Sequence, residues 1–275
     1  MNNLDFQETE LDVPLRFRSF YGKPIDQMPF LLSGMNEKGE VVDIKRVPIT
    51  IKEVLQERVH GENEHDKVLF RDNYVTTSVA IIVDPDKSGE AIVGLYSDHL
   101  VRDLVHSLNS KSALQSGSLP ITTDQYQAIK ENTRFVFSPD VANALRSNAY
   151  NELKSREGFW DYVTEDDTNL VRDNLALVNA AVGGDMSDRI GLYISGSPGL
   201  RFVWLGSVGN YSDADSGYNL STYGRLVGKA AEPLGRENLE SKVGKNVVSS
   251  LHAGKAFEYN GTIYAPVHDV SLKNQ

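Results

Sequence analysis

The order of hydrophobic periods along this 275-residue chain predicts an α+β fold. The expected form is a mostly antiparallel or mixed sheet with helices packed on one side and a β-rich C-terminal third. Three observations carry the expectation. Strand and helix periods follow one another without the regular alternation of a parallel α/β sheet. Two runs, Val79 to Val83 and Leu200 to Leu205, are apolar on both faces, as strands covered on both sides must be. Beyond Gly183, helical periods give way to two-residue alternation, glycines and turn formers.

Residues 1–12 are polar and acidic and read as an N-terminal arm, so structure is expected from Val13 to Val270 as one domain. The change in glycine density near Gly183 leaves a division into two lobes open. Leu15 to Tyr21 alternates as a first strand. The apolar run Met28 to Met35 ends in the turn Asn36-Glu37-Lys38-Gly39, which should lead back through Val41, Val42, Ile44 and Val47. Thr50-Ile51-Lys52-Glu53 has capping-box spacing, the hydroxyl serving one free amide at a helix start and the carboxylate another, and His60-Gly61 should close that helix. Gly61 to Lys67 is charged and read as exposed, followed by strands over Val68 to Phe70 and Tyr74 to Val83. Asp84-Pro85-Asp86-Lys87-Ser88-Gly89 resembles a calcium loop in its first six positions but has Leu95 where a bidentate glutamate is needed, so a hairpin turn is expected.

Ser97 is positioned to cap a helix burying Leu100, Val101, Leu104, Val105 and Leu108. Thr122 or Thr123 caps the next helix, and Ser138-Pro139-Asp140 starts another with a hydroxyl cap, a proline in the first turn and an acid at the positive end of the dipole. Glu165-Asp166-Asp167 precedes a helix stopped by Gly183-Gly184. Ile190 to Ser195 and Leu200 to Leu205 then read as two strands of a hairpin about Gly196-Ser197-Pro198-Gly199. A helix is expected over Glu237 to Val243, and Asn260-Gly261 between Phe257-Glu258-Tyr259 and Thr262-Ile263-Tyr264 is a strong hairpin signal.

Composition excludes several classes of function. A formal charge of −10 argues against nucleic acid as the partner, because phosphate binding needs clustered Lys and Arg to displace counterions. With no cysteine there are no disulfides, thiolate nucleophiles, zinc ribbons or iron–sulfur ligands. No apolar run reaches membrane-spanning length and the first residues carry no export signal, so a soluble cytoplasmic protein without membrane contact is expected. Phosphate-loop, nucleophile-elbow and dinucleotide patterns are absent.

Two groups of residues remain as candidates. The long polar connection after Gly209 carries Tyr211, Asp213, Asp215, Tyr218 and Tyr223, which combine flat apolar faces with carboxylates for a ligand. On the helix after Ser97, His99, Asp103 and His106 recur at i, i+4 and i+7 on the face opposite the apolar one, a spacing that could offer groups to a divalent metal. The first functional reading is a non-catalytic binding or assembly protein using the Tyr/Asp/Gly loop (about 209–224) against a protein partner, a second copy of itself or a small ligand. No resident cofactor is expected under it. The alternatives are a divalent-metal-dependent hydrolase drawing on Asp213, Asp215 and the histidine face, and a purely structural protein.

Overall fold

The computed structural model describes residues 16–36, 38–41, 43–86, 89–146, 155–183, 191–210, 213–230, 257–259 and 262–264. The chain divides into two compact units, Met1–Ala230 and Ala231–Gln275. In chain order the strands of the first are β1 (Phe17–Gly22), β2 (Arg46–Pro48), β3 (Val75–Val83), β4 (Ala91–Gly94), β5 (Val136–Phe137), β6 (Leu192–Tyr193), β7 (Gly199–Leu205), β8 (Ala214–Asp215) and β9 (Gly224–Ala230). Its helices are α1 (Pro24–Ser33), α2 (Ile51–His60), α3 (Glu64–Arg71), α4 (His99–Ser107), α5 (Thr123–Asn132), α6 (Pro139–Arg146), α7 (Ser155–Val163) and α8 (Thr168–Val182). In the second unit β10 (Phe257–Tyr259) pairs antiparallel with β11 (Thr262–Tyr264), the hairpin expected about Asn260-Gly261. Both turn residues, and the helix expected over 237–243, lie outside the described residues.

The nine strands of the first unit form one mixed sheet organised on β3, every residue of which is buried. β3 pairs antiparallel with β7 along its length and with β4 over Ala80 to Val83, while a single parallel bridge, Thr76 to Leu226, joins its first half to β9. Between Thr76 and Ala80 the register on β7 is broken by a bulge, and the Thr77 hydroxyl donates to the Val203 carbonyl at 2.8 Å. A bulge bends and twists its strand. β9 also carries β1 and β2, both antiparallel, so strands from the start of the described chain and from residue 230 lie side by side.

Alternation along β3 sends Val79, Ile81 and Val83 into one core and Ala80 and Ile82 into another. The first core collects Ile51, Val54 and Leu55 of α2, Phe70 of α3, Phe159 and Trp160 of α7 and Leu170 of α8. The second collects Ile25, Met28 and Leu31 of α1, Val101 and Val105 of α4, and Tyr126 and Ile129 of α5. The fold class is therefore the α+β class expected, and the helices lie over both faces of the sheet rather than one. Strands as continuously apolar as β3 and β7 require that second layer.

Several local signals act as read. Thr50 accepts the Glu53 amide at 3.1 Å while the Glu53 carboxylate accepts the Thr50 amide at 3.0 Å, and Gly61 follows the last turn of α2. Thr122 and Gln125 form the same box on α5. Gly183, in the left-handed region at φ 71°, ends α8. Asp84 to Glu90 closes the β3–β4 hairpin through the Asp84 amide and the Glu90 carbonyl, 3.1 Å apart.

Other signals were outweighed. The apolar run at Met28 lies in α1, which Pro24 starts and Gly34 ends at φ 69°. Val68 to Phe70 belongs to α3, capped by Asn63; Val68 is exposed while the adjacent Leu69 and Phe70 are both buried, which the alternation of a strand does not allow. Asp98, one residue beyond Ser97, caps α4. The hairpin expected about Gly196–Gly199 does not form: β6 pairs with β8, in parallel, and β8 pairs with β7. At the Gly199 end of β7 the edge is taken by Leu119, whose amide and carbonyl exchange hydrogen bonds with Leu200 at 3.1 and 2.9 Å. The returning segment Ala214–Asp215 fills the other end.

Candidate functional site: an aromatic cleft

Around Trp204 of β7 and Tyr74, just before β3, lies a cleft of about 320 Å³, lined by Tyr21, Asp72, Asn73, Tyr74, Trp204, Tyr218, Tyr223, Gly224 and Arg225. Trp204, on β7, is held between the Thr76 and Asp215 backbones as its ladder partners and is only 5% exposed. Its ring reaches the space that a side chain at position 224 would occupy: a Cβ built on Gly224 would stand 2.0 Å from Trp204 Cη2. Tyr218 stacks on the indole, centroids 4.7 Å apart and planes 25° apart. Tyr21 and Tyr223 approach from the paired ends of β1 and β9 at 6.1 Å, and the Lys23 ammonium lies 5.5 Å over the Tyr223 ring. Arg225 donates to the Ser19 hydroxyl at 3.0 Å.

The segment that carries Tyr218 and Tyr223 is anchored along much of its length. Ala214, Ser216 and Leu220 are buried. Asp213 Oδ1 accepts the Gly191 amide at 2.9 Å and Asp215 Oδ1 accepts the Gly217 amide at 2.5 Å, so the first ties the segment to the residue before β6 and the second closes a turn of its own backbone. Arg201 of β7 donates to the Gly217 carbonyl at 2.5 Å, to the Ser118 hydroxyl at 2.8 Å and to the Ser116 carbonyl. Ser116 and Gly117, both at positive φ, form a tight two-residue turn, and the Gly117 carbonyl accepts the Leu220 amide at 2.9 Å. The Leu220 carbonyl in turn accepts the Ile25 amide at 3.1 Å.

Burial pushes both Asp213 and Asp215 above the usual carboxylate range; their backbone hydrogen bonds oppose this, and the Asp215 charge raises Asp213 further. The Tyr74 phenol is raised first by burial and then by Tyr218, Asp213 and Asp215. Burial lowers the Arg201 guanidinium, while Tyr193 and Asp215 raise it.

Of the residues singled out in the connection, Tyr218 and Tyr223 line one cleft, whereas Asp213 and Asp215 are not in its lining and hold the Gly191 and Gly217 amides; Tyr211 lies outside the described residues. His99, Asp103 and His106 are all exposed on α4. The His106 Nε2 and the Tyr96 hydroxyl share a hydrogen bond of 2.8 Å, and His99 Nδ1 is 3.8 Å from Asp98. His99 helps line a separate cavity of about 680 Å³ with Asp98, Arg134, Asp161, Tyr162 and Glu165 among others. Among the described residues no group of three or more His, Asp or Glu side chains is arranged to hold a metal ion. Among them, too, no helix is long and apolar enough to cross a membrane.

The chain is similar to a solved structure described as "Accommodation of massive sequence variation in Nanoarchaeota by the C-type lectin fold", with a TM-score of 0.51 and 12% identity over 80% of this chain and 100% of that one. The likeness is one of fold. No family model matches the chain, and no curated protein matches it.

Sequence reading missed Trp204, taken only as core, together with Tyr21, Tyr74, Asp72, Asn73 and Arg225. One signal was available. Tyr21-Gly22 and Tyr223-Gly224 repeat a Tyr-Gly pair, and Gly22 and Gly224 prove to be partners in the β1–β9 ladder.

Proposed function

We propose that this protein is a non-catalytic binding protein that engages a polypeptide partner through the aromatic cleft. The observation that carries the reading is the convergence of five aromatic side chains from separate stretches of chain. Four of them stay open to solvent: Tyr21 is 63% exposed, Tyr74 41%, Tyr218 41% and Tyr223 52%. Grouped exposed aromatics mark interaction surfaces, because covering them releases water from a large rigid area at little loss of side-chain freedom. Tyr, Trp and Arg are also the residues that dominate binding energy at interfaces. Behind them, the anchoring by Arg201, Asp213 and Asp215 presents Tyr218 ready formed, which limits the ordering that binding must supply.

The fold supports the same reading. In the similar solved structure the C-type lectin fold accommodates massive sequence variation. A scaffold of that kind can hold a ligand surface whose residues differ freely from those of its neighbours.

The test is selection of binders from a displayed random-peptide library on the full chain, with counter-screening on the variant Tyr74→Ala/Tyr218→Ala/Tyr223→Ala. Selected peptides should lose about 30-fold or more in affinity for the variant, the loss expected when a binding hot spot of about 2 kcal/mol is removed. Peptides that bind the variant as tightly as the parent chain would exclude the cleft as the binding surface.

A further inference from the structure

One margin of the sheet lies open beside the cleft. β1 is an end strand, and among the described residues it pairs with β9 alone, in unbroken register from Phe17 to Gly22. Successive residues of an antiparallel strand turn their backbone groups alternately toward the partner and away from it. The Ala230 amide donates to the Arg16 carbonyl at 2.9 Å, so Arg18, Phe20 and Gly22 face β9, and Phe17, Ser19 and Tyr21 turn outward. The far side of β9 agrees, because Val227, opposite Ser19, gives its carbonyl to the Ile49 amide at 3.1 Å. Phe17 is buried, but Ser19 is half-buried and Tyr21 exposed, and among the described residues no hydrogen bond reaches the N–H or C=O of Ser19 or Tyr21. Sheet edges are ordinarily blunted by shortness, charge, proline or a bulge. At the other margins β2, β5 and β6 are short. Arg16 and Arg18 charge the first half of β1, in ion pairs with Glu57 and Asp43 at 3.1 and 3.0 Å. Residues 19–22 carry no charge, proline or bulge, and the ammonium of Lys23 beyond them lies over the Tyr223 ring.

We infer, building on the binding role proposed above, that the partner polypeptide adds as an extended strand along residues 19–21 and enters the cleft from that edge. Ser19 and Tyr21 each offer an outward N–H and C=O at the spacing of a strand, which an extended backbone matches. A helix cannot, because its own backbone groups are already paired. Tyr21 belongs to the edge and to the cleft at once, and Tyr223 stands 6.1 Å from it. Every second side chain of the added strand therefore falls beside Tyr21 and continues the tyrosine surface, where an aromatic or β-branched residue packs best.

The experiment is amide hydrogen exchange, followed by NMR, on the full chain alone and saturated with a peptide from the library selection described above. In the chain alone the Ser19 and Tyr21 amides should exchange freely while that of Phe20, which faces β9, is protected. The peptide should slow both by about tenfold or more and leave Phe20 unchanged. N-methylation of the peptide backbone, one residue at a time, should weaken binding about three- to tenfold at alternate positions, the worth of one hydrogen bond. Ser19→Pro removes an outward N–H without touching the β9 ladder and should weaken the peptide comparably, whereas Ser19→Ala, which loses only the hydroxyl, should bind as the parent does. A peptide that needs the tyrosines yet leaves the Ser19 and Tyr21 amides unchanged overturns the edge and leaves the binding role standing. Slow exchange of those amides in the chain alone also overturns it, the edge then being taken by the chain itself or by a second copy. A selection that yields no peptide removes both.

Discussion

Gly224 is glycine because Trp204 fills the space beside it, a Cβ at this position falling 2.0 Å from the indole. Gly224→Ala should displace the ring, lower stability by about 1–3 kcal/mol as over-packing does, and disturb the Tyr218 stack. Chemical denaturation with Trp fluorescence measures both effects, and an unchanged midpoint would mean that the indole has somewhere else to go. Asp213 and Asp215 make a prediction of opposite sign. Burial raises both, so the folded state binds protons more readily than the unfolded one. Their contribution to stability is fully present below the ordinary aspartate range and is lost as pH rises through the raised folded values. Asp213→Asn keeps an acceptor for the Gly191 amide and removes the charge. The variant should therefore gain stability relative to the parent as pH increases across that window, which urea midpoints at several pH values would reveal. Sequence alone identified the carboxylates but not their direction of shift, because burial is a property of the packed chain.

Between elements, Arg201 ties β7 to two loops at once through Ser116, Ser118 and Gly217. Arg201→Met retains the aliphatic stem but leaves those groups without their donor, a loss of about 1–3 kcal/mol for each one that stays buried. Destabilisation of about 3 kcal/mol is expected, and hydrogen exchange should quicken at Ser118 and Leu220 before it does in β3. Arg58, on α2, plays a comparable part in tying that helix to α3 and to the residue after β7. Fully buried, with its guanidinium pushed down to about 9 by burial, it donates to the carbonyls of Phe70 and Gly206, both at 2.6 Å. By contrast Thr50→Ala should cost about 1 kcal/mol, the usual worth of a helix cap, in a thermal or urea unfolding series. The cap was legible in four consecutive residues. The contacts of Arg201 and Arg58 were not, since their acceptors lie far along the chain and are mainly backbone carbonyls, which every residue possesses.

For the whole molecule, β9 is held by β1 on one side and by β2 and β3 on the other, so the first unit is closed by strands from its two ends. A chain ending at Ala230 should keep a single cooperative unfolding transition, whereas removal of residues 1–22 strips Phe17 and Phe20 from the cores and should abolish it; calorimetry distinguishes the two. By itself the sequence determined the α+β class, the burial of β3 and β7, the capping boxes of α2 and α5, the β3–β4 turn and the Gly183 stop. Each of these depends on residues within a few positions of one another, where periodicity and local hydrogen bonding act. It also marked Tyr218 and Tyr223 as exposed aromatics in an unusually long connection. Only the tertiary structure decided that β8 would enter between β6 and β7, that helices would cover both faces, and that Tyr21, Tyr74 and Trp204 would join the two tyrosines around one cleft. Those outcomes depend on which distant backbone edge remains free to pair and which side chains the sheet brings to its end, and both are settled by packing across the whole unit.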